Sequence, residues 1–87
     1  VYDLAMQPTQ MKDTMTTTLI SGTQKMQLRT VFFIGQGWVT QRFDLEGTEW
    51  ELSCLSAPIW FWSEKECARD LQKRLSDFVT VGWKLID

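Results

Sequence analysis

Two cysteines, Cys54 and Cys67, and a crowd of carboxylates at Asp44, Glu46, Glu49 and Glu51 are the side chains whose types could do chemistry. The chain has no histidine. That removes the commonest general base, the usual catalytic triads and most zinc sites. Two thiolates cannot complete a structural metal site alone. Cys67 falls in the first turn of an expected helix, where backbone N–H groups can lower a thiol pKa. Without an imidazole to activate it, a packed and reduced core thiol is the better reading for Cys67, and for Cys54 as well. Glu49 and Glu51 share one face of a strand, roughly 7 Å apart, and a paired-carboxylate hydrolase needs such neighbours. A solvated hairpin is the simpler account of them. The calcium-loop pattern fails because Gly47 comes too early and the oxygen ligands do not continue. Gly35-Gln36-Gly37 has no following helix to offer a phosphate, so it reads as a turn. The sequence therefore predicts a protein that is not an enzyme and that uses neither a metal nor a cofactor.

The second chemical feature is aromatic. Trp60-Phe61-Trp62 belongs to a chain with five tryptophans. Such a run can pack a core or a dimer contact, stack nucleobases, or line a pocket for an apolar or cationic small molecule. Base-stacking platforms sit in basic grooves. Eleven acids against nine bases, a net charge of -2, supply no such field, so nucleic acid is not the expected partner.

The elements that must position these residues follow from patterning. Eighty-seven residues, 44% of them hydrophobic and 23% charged, suit one small folded domain rather than a disordered chain. Residues 1–14 are polar, aperiodic and broken by Pro8, and read as a flexible N-terminal tail preceding a single domain over 15–87. Thr16 to Ile20 has the β-branched content for a strand before the Gly22-Thr23 turn. Leu28–Ile34, Trp38–Asp44 and Thr48–Leu55 are strand-like and separated by glycine turns, as in a meander. Ser63 with Glu66 three residues on is a capping box. Cys67, Ala68, Leu71, Leu75 and Phe78 then recur at helical spacing, with Lys65, Arg69 and Lys73 on the opposite side and Asp70 four before Arg74. Val79, Val81, Trp83 and Leu85 alternate with polar or small residues and predict a closing strand. The fold class is α+β: a mostly antiparallel meander sheet of four to six strands with one amphipathic helix on one face, in the order ββββαβ.

Tight turns fix the faces. A turn at Glu46-Gly47 sets Phe43 opposite Trp50, Gln41 opposite Leu52 and Val39 opposite Cys54, with Arg42 facing Glu51. Two-residue turns throughout place Trp50, Leu52 and Cys54 toward the helix with Leu28, Thr30, Phe32 and Ile34. A turn at Ser56-Ala57 adds Ile59 and Phe61 to that side. The face away from the helix then carries Val31, Phe33, Trp38, Leu55, Trp60 and Trp62 around Arg42. Monomers rarely expose so large an apolar surface.

The expected function is therefore a non-enzymatic protein-binding or adaptor domain, a homodimer that self-associates through its helix-free sheet face. The alternative is a small-molecule-binding domain built on the tryptophan cluster. No apolar run exceeds four residues and Val1–Ala5 lack the regions of a signal peptide, so the expected location is cytoplasmic with no membrane partner.

Overall fold

The computed structural model describes residues 10–55 and 58–86, and for 10–15 the backbone alone. Five strands and one helix succeed one another: β1 (Gln10–Ser21), β2 (Gln24–Phe33), β3 (Gly37–Glu46), β4 (Glu49–Ser53), α1 (Glu64–Thr80) and β5 (Lys84–Leu85). They build one sheet in the order β4-β3-β2-β1-β5 with every pairing antiparallel. This is the α+β meander with one covering helix that the patterning predicts. β1 starts at Gln10, so residues 10–14, expected in the tail, lie in a strand; residues 1–9 lie outside the described residues.

Ser63 caps the helix as expected: its backbone is extended and its Oγ accepts from the Glu66 N–H at 3.1 Å. Cys67, Leu71 and Leu75 form the buried stripe of α1. Leu71 and Leu75 meet Leu19, Met26 and Leu28 of β1 and β2, with Leu55, Phe78 and Trp83 around the rim. The helix also runs farther than the alternation of Val79 and Val81 suggests. Backbone bonds from Val81 to Asp77 and Phe78 continue the helical ladder to its C-cap. Only Lys84 and Leu85 then pair, with Ile20 and Leu19. Val79 and Val81 are consequently exposed rather than on the inner side of a strand.

The largest departure lies in the β2–β3 hairpin. Phe33 pairs with Gly37, leaving three residues in the loop instead of two. The Gln36 N–H donates to the Phe33 carbonyl at 3.1 Å, and Gly35, at φ +84°, supplies the left-handed residue that such a turn requires at its third position. An odd loop reverses the parity of everything after it. Leu28, Thr30 and Phe32 face the helix as expected, but their partners are Arg42, Thr40 and Trp38. The β3–β4 pairing also slips by two residues, which preserves parity: Phe43 lies opposite Leu52 and Arg42 opposite Ser53. Trp38, Thr40, Arg42 and Leu55 thus belong to the helix side, and Trp50, Leu52 and Cys54 to the other. No helix among the described residues is long and apolar enough to cross a membrane.

Candidate interaction surface

The segment after Pro58 creates the surface. Phe61 exchanges two backbone hydrogen bonds with Trp38, at 2.7 and 2.8 Å, and so occupies the place in the sheet that β4 has already left. Gly37 makes this approach feasible: a Cβ there would collide with the Phe61 carbonyl oxygen. The alternation along 60–62 then sends Trp60 to the helix-free face, edge-on to Phe33 with ring centroids 5.6 Å apart. Trp62 lies alongside Gly37 and remains 83% exposed, while Trp60 is 44% exposed.

The sequence-predicted site residues are therefore divided. Phe33, Trp60 and Trp62 share the helix-free side. Val31 shares it too but is buried, paired with buried Val39. Trp38 packs on Phe32 on the helix side, centroids 5.2 Å apart. Leu55 packs against the core. Arg42 does not face Glu51; its Nε bonds Asp44 Oδ1 at 3.0 Å, and its guanidinium lies 5.7 Å from the Phe78 ring centre. In their place, Ile34, Leu52 and Ile59 are exposed with Trp60 and Trp62. Only the odd loop length would have revealed Leu52; Ile59, expected to be buried on the inner side, is half-exposed, and the expected Ser56-Ala57 turn lies outside the described residues.

The chemical candidates are placed as clearly. Cys54 is exposed and Cys67 buried, both as free thiols. Burial pushes the Cys67 thiol above its ordinary value; contact with Thr40 lowers it, and the nearby Asp70 carboxylate raises it further. A thiol held in its neutral form is a poor nucleophile. Around it lies a closed polar cluster: Thr40 Oγ1 donates to Asp70 Oδ2 at 2.9 Å, and Arg74 Nε bonds the same oxygen at 2.8 Å. Asp70 and Arg74 are only 10% and 14% exposed, so this i,i+4 pair ties the helix to β3 rather than decorating its outer face. No group of acidic, thiol or imidazole side chains among the described residues could hold a metal ion.

Shallow clefts mark the described surface, among them three that border the residues discussed above. One of about 290 Å³ is polar and bounded by Lys25, Arg42, Asp44, Glu46 and Trp83. One of about 250 Å³ runs between α1 and the end of β4, against Leu55, Arg74, Asp77, Phe78 and Val81. The third, about 240 Å³, lies beside Val39, Leu52, Pro58 and Trp60. Comparison of the chain with protein-family models, curated proteins and solved structures gives no match.

Proposed function

We propose that this chain is a cytoplasmic protein-binding domain whose partner is a second copy of itself. The observation that carries the reading is Trp62, an indole left 83% exposed beside the half-exposed Trp60 and Ile59. Tryptophan is among the residue types that most often anchor protein interfaces. Trp60, edge-on to Phe33, and Leu52, which borders the same cleft as Trp60, add exposed apolar side chains on the helix-free side. A binding role is also supported by the buried, neutral Cys67 thiol, which is ill suited to catalysis.

Light scattering behind a sizing column tests the proposal. Trp62→Glu should yield a folded single-chain species where the wild type associates, because the indole makes no large contribution to the fold. Lys73→Glu, on the outer side of α1, should leave association unchanged. Association of Trp62→Glu at wild-type strength would overturn the reading.

A further inference from the structure

We infer that two copies pair antiparallel along the outer edges of their β4 strands, with Leu52 on the two-fold axis, so that the β3–β4 turn of each copy lies against the Trp60–Trp62 segment of the other. This inference rests on the self-association proposed above and names the edge that makes the contact.

The direction of the hydrogen bonds along β3 carries it. Trp38 turns its N–H and C=O toward Phe61, away from β2. That direction alternates along a strand, so Arg42, Asp44 and Glu46 turn theirs the same way, to Ser53, Glu51 and Glu49. Trp50 and Leu52 therefore aim theirs outward, where the sheet has no further strand among the described residues. Sheet edges are ordinarily blunted by proline, lysine or a bulge. Glu49–Ser53 has none of these, its register with β3 is unbroken, and Leu52 stands exposed along it. An antiparallel edge is also complementary to a copy of itself, because each outward N–H and C=O meets the C=O and N–H of the residue opposite.

Charge selects the register. An axis at Trp50 or Glu51 would set glutamate directly opposite glutamate, a destabilising pair. With the axis at Leu52, Glu51 faces Ser53 of the second copy and Trp50 faces its Cys54; an axis at Ser53 shortens the paired length. The same axis positions the tryptophans. Phe61 lies opposite Trp38, five positions along β3 from Phe43, the partner of Leu52. Glu46 and Glu49 pair three positions from Phe43 in the other direction, and Gly47 and Thr48 close the turn beyond them. Rotation about Leu52 therefore lays Gly47 and Thr48 of one copy beside Phe61 of the other, alongside Trp60 and Trp62. The exposed Trp62 indole gains its neighbour there, and Trp62→Glu would set a carboxylate near Glu46 and Glu49 of the second copy.

The test compares Leu52→Pro with Leu52→Ala by light scattering, with far-UV circular dichroism to verify that each is folded. Leu52→Pro removes an outward N–H and leaves the bonds of Glu51 and Ser53 to β3, a place where an edge strand tolerates proline. Leu52→Ala shortens the side chain and keeps that N–H. The proline variant should be a single chain, and the alanine variant should still form a two-chain species at higher concentration than wild type. Equal association of the two variants overturns the backbone pairing. A cross-link checks the register without proline. On the axis, Leu52→Cys in a Cys54→Ser background brings two Cα atoms to about 5.5 Å, within disulfide reach. Cys54 of the wild type is roughly 14 Å from its counterpart, four residues along the strand. Mild oxidation should therefore link the Leu52→Cys chains and not the wild type. A two-chain wild type whose Leu52→Cys variant stays unlinked overturns the pairing, whereas a wild type that is a single chain at high micromolar concentration overturns the self-association itself.

Discussion

The Thr40 hydroxyl donates a 2.9 Å hydrogen bond to Asp70 Oδ2, joining the centre of β3 to the second turn of α1. Thr40 is 2% exposed and Asp70 also holds Arg74, so the carboxylate is an almost buried charge with two named donors. Thr40→Val should cost about 1–3 kcal/mol, the penalty for leaving a buried acceptor short of a partner. Asp70→Ala should cost more, because it leaves the Arg74 charge without the carboxylate. Urea denaturation midpoints for the two variants give the comparison. A Thr40→Val midpoint equal to wild type would mean that the helix is held by its apolar stripe alone.

The two thiols should behave oppositely. Cys54 is exposed and should react with a thiol reagent in the native state, whereas buried Cys67 should react only after the protein opens. The Cys67 pKa is raised by burial, so the native state holds this proton more tightly than the unfolded chain. Stability is then unaffected by Cys67 below the ordinary thiol range near 8.5 and falls as the pH rises through it, since the unfolded thiol ionises first. Two labels incorporated at equal speed in native protein would contradict this placement.

Gly37 and Gly35 should separate on substitution. Both have positive φ, which strains any residue with a Cβ. At Gly35 the added methyl meets nothing within 4 Å, and Gly35→Ala should cost about 1 kcal/mol. At Gly37 the methyl meets the Phe61 carbonyl as well, so Gly37→Ala should cost clearly more and displace the Trp60–Trp62 segment. Intrinsic fluorescence during thermal unfolding reports both effects. Equal losses at the two positions would mean that the Phe61 bridge to Trp38 does not hold the segment.

The helix start provides a local check. Ser63→Ala removes the acceptor of the Glu66 N–H and should lower stability by about 1 kcal/mol. An unchanged denaturation midpoint would place the first turn elsewhere.

These residues also show what the sequence makes legible. The element order follows from glycine-separated strand patterns and the Ser63 cap, both local signals. The stripe of Cys67, Leu71 and Leu75 needs only helical periodicity. The faces of β3 and β4 depend on a single integer, the length of the Phe33–Gly37 loop, and Gly35-Gln36-Gly37 is compatible with two residues or three. One added residue moved Trp38, Arg42 and Leu55 to the helix side and exposed Leu52. Val79 and Val81 satisfy strand alternation equally well as a helical end, and the backbone bonds to Asp77 and Phe78 decide for the helix. Trp60 reached its expected face by a route the pattern did not contain, a bridge to Trp38 rather than a hairpin with β4.

The most direct measurement of the central claim is the mass of the wild-type protein by sedimentation equilibrium across a dilution series. A chain of 10.2 kDa that associates through Trp62 should show an apparent mass rising with concentration toward twice that value, and the Trp62→Glu variant should remain at one chain throughout. A wild-type mass fixed at one chain up to high micromolar concentration would contradict the account.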